Sequence, residues 1–277
     1  NVTNNGILTT SSSGASVRIK GSLFSNSASV TAGNFYFDTT TSVSGTGTYT
    51  STNMYVSLNG NVTCQNNITF SPVTQLVILT GGVLNPNGNI VTLSSGTLTL
   101  QDGATISSPG TIRTQNTVAF SIGNTSVFNA ALNVNTGTTT TNNGGLVVSR
   151  LNGNVTIDAA ATLNGGNVTG RSTHIYGSVT NNGILTTSSS GASVRIKGSS
   201  FSNSGSVTAG SFYFDTTTSV SGTGSYTSLS LYVSLNGNLT CQNNITFSPV
   251  TQLVIQTGGD FNPNGNIVTF TSGTLAL

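Results

Sequence analysis

The chain has 277 residues, of which only 12 are charged (7 Lys or Arg, 5 Asp), with 34 Gly, one His and no Trp. A net charge of +2 offers no electrostatic footprint for nucleic acid, and no basic stretch is interleaved with aromatics as nucleic-acid readers require. No run of apolar residues is long enough to span a membrane as a helix, yet 35% apolar content is too high for the disordered class, so the chain is expected to fold.

The segment Val2–Ser22, VTNNGILTTSSSGASVRIKGS, returns unchanged at Val179–Ser199, and residues 1–100 match residues 178–277 without a gap at 85 positions. Such a repeat governs the reading of everything else. Residues 1–177 form one complete superrepeat, and residues 178–277 are the first part of the next, expected to continue the same stack. Starting at Asn1 and stopping at Leu277, both inside a unit, the sequence reads as a stretch of a longer tandem array.

Inside the superrepeat, turn signals at Gly or Asn divide the chain into eight coils: Asn1–Gly21, Ser22–Thr40, Thr41–Gly60, Asn61–Gly82, Val83–Gly103, Ala104–Asn124, Thr125–Gly153 and Asn154–Gly177. Ser, Thr, Asn and Gly are weak helix formers, while Val, Ile, Leu and Phe recur in short alternating runs. The fold class expected is all-β: a parallel β-solenoid of about 20–22 residues per coil. In Asn61–Gly82 the strands NVTC, NITF and QLVIL place Val62 with Cys64, Ile68 with Phe70 and Leu76 with Ile78 on one inward face. At about 4.8 Å per coil, eight coils rise roughly 38 Å and the 277 residues roughly 60 Å.

The two copies test this alternation. Inward positions exchange apolar for apolar: Met54 with Leu231, Val62 with Leu239, Leu84 with Phe261, Leu93 with Phe270. Outward positions change character: Leu23 with Ser200, Leu79 with Gln256, Val83 with Asp260. Thr52, matched by Leu229, is a discordant position expected inward. Cys64 and its copy Cys241 read as buried thiols too far apart to pair.

No catalytic, cofactor-binding or metal-binding residue is assigned. His174 has no second ligand at metal spacing and reads as a surface or coil-corner residue. Asp38, Asp102, Asp158, Asp215 and Asp260 stand singly, without the carboxylate pairs of β-helical polysaccharide enzymes, and the GGxGxD calcium motif is missing. The chain is therefore not expected to be an enzyme. The eight Asn-x-Ser/Thr sequons, including Asn61, Asn67, Asn154 and Asn167, carry no signal in so Asn- and Thr-rich a chain; many Asn side chains are expected to ladder at coil corners.

The Thr-rich stretches FDTTTSV and NTGTTTTNNGG raise an ice-binding face. That face needs the same Thr pair in every coil, which coils of unequal length do not supply on paper, so these residues read as outward β-branched positions suited to strands. Loop 137–145 is expected to bulge once per unit, and Arg18 with Lys20, copied as Arg195 with Lys197, recurs at a fixed interval; either could serve lateral bundling, though solvated protrusions are the favoured reading.

The coils NGNVTCQNNITF, GTLTLQDGATISSPGTIRT and GGVLNPNGNIVTLSSGTLTL resemble the haemagglutinin-type β-helix repeats of large secreted bacterial adhesins. The resemblance implies a right-handed β-helical shaft, secretion to the cell surface, and a structural role in an extracellular filament, with the long uniform superrepeat a departure from that pattern. The expected partners are the chain itself, by end-to-end or lateral assembly, and a glycan or other host-surface ligand of unknown identity; nucleic acid and membrane insertion are not expected. Alternatives carried forward are a carbohydrate- or ice-binding solenoid surface and, remotely, a polysaccharide-active enzyme.

Overall fold

A computed structural model describes all residues except 11, 13, 124, 136–138, 143–147, 167–168 and 235–236. The described residues form short β-strands and no helix, and the strands pair in parallel, each with the equivalent strand of the coils beside it. The chain is a parallel β-solenoid, divided into two compact units, Asn1–Asn133 and Val134–Leu277.

In the first unit one sheet face has seven strands: Val2–Asn4, Leu23–Asn26, Thr41–Ser44, Asn61–Cys64, Val83–Asn85, Thr105–Ile106 and Val127–Phe128. Register partners are 18 to 23 residues apart, in keeping with coils of about 20–22 residues. Val2, Phe24, Val43 and Cys64 lie in adjoining coils on the inward side of this face. The second unit has its own seven-stranded face, Val148–Leu151, Ser172–Ile175, Ser193–Ile196, Ser211–Phe214, Ser230–Val233, Gln252–Ile255 and Thr274–Ala276.

The core follows from period-two alternation. Val62, Cys64, Ile68, Phe70, Leu76 and Ile78 are all buried, as the sequence predicts. So are Met54, Leu231, Leu239, Leu84 and Leu93, while Phe261 and Phe270 lie in the last coils described and keep part of their surface. Aromatic side chains interlock between coils: Phe24 packs on Phe35, Phe37 and Tyr49 with ring centroids 5.7–6.4 Å apart, and Tyr49 meets Phe70 edge-on at 5.2 Å.

Thr52 and Leu229 correct one expectation. Along Thr48–Val56 the inward residues are Tyr49 and Ser51, then Met54 and Val56, because the strand turns a corner at Thr52 and Asn53, both of which face out. Leu229 is accordingly 39% exposed, and the Thr–Leu exchange falls on tolerant surface.

The corners are built from Asn and Gly. Asn59, Asn87, Asn116 and Asn264 adopt positive φ, which Asn tolerates better than most residues. Asn26, fully buried, accepts Asn4 Nδ2 at 2.8 Å and donates to the Thr48 carbonyl at 3.1 Å; Asn203 repeats this between Asn181 and Ser225. Gly45 is obligatory beside it, with φ +94° and a would-be Cβ only 2.1 Å from the Asn26 carbonyl oxygen. Of the expected bulge at 137–145, residues 137, 138 and 143–145 lie outside the described set, whereas Thr139–Asn142 form a strand paired with Thr162–Asn164. That part is ladder, not protrusion.

Candidate functional site

The strand Ser16–Ile19 turns Val17 and Ile19 towards the core and Arg18 outwards. Register then sets Tyr36 and Tyr55 in line with Arg18 on successive coils. The guanidinium sits 4.2 Å above the Tyr36 ring, and the Tyr36 and Tyr55 rings stack at 4.5 Å with 9° between their planes. Asp38, on the same face as Tyr36, takes Arg18 Nε at 2.7 Å and Nη2 at 2.9 Å, and accepts the Ser57 hydroxyl at 2.6 Å.

The second unit builds the same ladder. Arg195 lies 4.0 Å over Tyr213, which stacks on Tyr232 at 4.4 Å and 8°. Asp215 receives Arg195 Nε at 2.6 Å and Nη2 at 2.9 Å, Lys197 Nζ at 3.2 Å and the Ser234 hydroxyl. Here the carboxylate is 5% exposed against 11% for Asp38, and the arginine 29% against 50%. The added cover comes from strands Ser172–Ile175 and Val148–Leu151, which put His174 and Arg150 in register with Arg195.

Burial works against ionisation of Asp38 and Asp215, but the arginine hydrogen bonds, the serine hydroxyls and the nearby cations outweigh it and hold both carboxyls below their ordinary range. His174 is pushed down to about 4, chiefly by burial and then by the Lys197 and Arg195 charges. It occupies the middle of a strand in a file of cations, not the coil corner expected from its flanking glycines. The thiol of Cys64 is pushed up to about 12 by burial, and that of Cys241 is raised for the same reason.

This geometry locks coils together and leaves little for chemistry. Arg18 and Tyr55 cover the two faces of Tyr36, and Val77 follows Tyr55 in register, so no ring face is left open for a sugar. The carboxylates are committed to guanidinium pairs. Asp102 accepts the Thr125 amide at 3.2 Å, and Asp260 is exposed at a strand start. Among the described residues no three His, Cys, Asp or Glu side chains approach closely enough to hold a metal ion. The sequence pointed to Arg18, Lys20, Arg195 and Lys197 but missed the tyrosines; their signal is the alternation in NFYFD, where Tyr36 lies between inward Phe35 and Phe37.

No protein-family model, curated protein or solved structure matches the chain.

Proposed function

We propose that this chain is a structural repeat segment of a long extracellular fibre or fibrous adhesin, kin to the haemagglutinin-type β-helix proteins, and not an enzyme. The observation that carries the reading is the duplication of the coil stack together with its locking devices. The aromatic core, the Asn26 and Asn203 corners and the Arg–Tyr–Tyr–Asp ladders recur 177 residues apart. A solenoid lengthens by adding such units, since each coil depends mainly on its neighbours.

On this reading the principal partner is the chain itself, and export to an oxidising exterior is harmless because Cys64 and Cys241 are buried and unpaired. Electron microscopy with Fourier analysis of native material tests it. Filaments with a meridional spacing of about 4.8 Å and a longer axial repeat of about 38 Å are expected. Compact particles lacking both spacings would overturn the proposal.

A further inference from the structure

Each unit carries a second outward surface, distinct from the ladder. In the first unit the pairs Ile7/Thr9, Ser29/Thr31 and Thr48/Thr50 are in register on adjoining strands. The pairing of Tyr49 with Phe70 brings Thr69/Ser71 next, and that of Phe70 with Leu93 brings Thr92/Ser94 after it. Between the members of these pairs, Val30, Tyr49, Phe70 and Leu93 point into the core. The result is two parallel files over five coils, with a hydroxyl at every position except Ile7.

The second unit repeats it. Ile184/Thr186, Ser206/Thr208 and Ser225/Thr227 are followed by Thr246/Ser248 and Thr269/Thr271, with Leu185, Val207, Tyr226 and Phe247 buried between. The unequal coil lengths, which obscure the pattern on paper, are absorbed in turns and leave the strand register intact. FDTTTSV lies elsewhere: Asp38 is ion-paired, and Thr41 is buried and bonded to the Gly21 carbonyl.

Three properties of these files point to one kind of ligand. They form a net, with hydroxyls about 4.8 Å apart from coil to coil and about 6.7 Å apart along a strand. Hexagonal ice presents oxygen nets with repeats of similar size. The net is also rigid and uncharged: inter-coil hydrogen bonds fix the backbone, β-branched Thr is stiff at χ1, and the first charged side chain in line is Arg113, beyond Thr92. Finally, the hydroxyls of Thr31, Thr48, Thr50 and Thr69 bond to no protein group and are open to water.

Comparison of the copies supports a selected surface. Within the net the two exchanges are Thr48 with Ser225 and Ser94 with Thr271, each hydroxyl for hydroxyl. Outward exchanges on other faces, such as Val83 with Asp260 and Thr99 with Ala276, discard the original chemistry.

We propose that the hydroxyl net of each unit is an ice-binding surface. Threonine methyls hold the contact layer of water against a flat face while the hydroxyls anchor it in lattice order, and a preformed net loses little freedom on binding. Many weak contacts engaged at once supply the affinity. A crystalline polysaccharide is the less favoured ligand, because the aromatic side chains of these strands point into the core.

The test uses the whole 277-residue chain. Partition into a slowly growing ice front, ice-crystal shaping and the thermal-hysteresis gap are measured for the native sequence, for Thr50→Tyr with Thr227→Tyr in the nets, and for Thr46→Tyr with Thr223→Tyr at exposed turns outside them. Circular dichroism checks that every variant folds, and adsorption to crystalline cellulose and chitin is run alongside. The native chain and the turn variant are expected to enrich in ice and shape its crystals, and the net variant to lose more than half of the gap. Exclusion of the native chain from ice, with or without adsorption to polysaccharide, overturns the proposal, as does full ice activity in a folded net variant.

Discussion

Replacing Asn26 by leucine removes a corner amide while keeping its volume nearly constant. Asn26 is 0% exposed and makes three hydrogen bonds: from Asn4 Nδ2 at 2.8 Å, from the Ala28 amide at 3.3 Å, and to the Thr48 carbonyl at 3.1 Å. At about 1 kcal/mol net per bond the loss is about 3 kcal/mol, and burying the added apolar surface returns about 1 kcal/mol, leaving a destabilisation of about 2 kcal/mol. The stranded Ala28 amide and Thr48 carbonyl set the sign, because desolvated groups without partners cost more than the bonds contributed. Urea unfolding followed by far-ultraviolet circular dichroism gives the global value, and hydrogen exchange at Ala28 and Thr48 gives the local one. Asn203→Leu, with bonds from Asn181 and to the Ser225 carbonyl, should behave alike in the second unit. A loss below about 0.5 kcal/mol with unchanged exchange would refute the claim that amide corners stabilise the stack.

Four further outcomes follow from the same geometry. Ile78→Asp, at a fully buried position, should cost about 4 kcal/mol or more, whereas Leu79→Gln should stay within about 0.5 kcal/mol, as Gln256 already occupies that position in the other copy; equal damage in thermal unfolding would overturn the inward and outward assignment. Asp215→Asn should destabilise by about 1–3 kcal/mol, between the values for exposed and buried pairs, and Asp38→Asn by less, because its arginine is half exposed; the reverse order in denaturation midpoints would refute this. Since both carboxyls titrate below 3.8 in the folded chain, their contribution is present above that pH and is lost as pH falls through the folded values. His174 acts in a different window: with its folded value near 4 against 6.5 unfolded, the unfolded chain binds the proton first, so stability falls as pH drops from about 6.5 to about 4, and His174→Gln should flatten that part of the melting-temperature profile. Cys64, buried with its thiol raised to about 12, should react with thiol reagents only at the rate of unfolding, and rapid labelling of the native chain would contradict its placement.

Much of the fold was legible because alternation is a local property. Val62 with Cys64, or Ile68 with Phe70, needs only two residues to declare a face, and the duplication shows which faces tolerate change. What failed was whatever depended on a corner or on register. Thr52 was misassigned because the strand changes face between Ser51 and Met54, where two successive residues point outward. His174 looked like a corner residue because glycines flank it, yet parallel pairing seats it between Arg150 and Arg195. The hydroxyl net was invisible for the same reason: Thr31, Thr50 and Ser71 fall at unequal sequence intervals and align only once the coils are stacked.

The parallel pairing also fixes how these units carry load. Hydrogen bonds between coils point along the stacking direction, so a pull in that direction meets them end-on, one ladder after another, instead of shearing a whole sheet at once. The elements that reach across the ladders, namely the Asn4–Asn26 amides, the Arg18–Tyr36–Tyr55 stack and the Asp38 bridge, act as rivets between neighbouring coils. Peeling a single coil releases about 22 residues, or roughly 75 Å of extended chain, while the coils behind it remain paired. Such a material yields in small steps and lengthens without failing throughout.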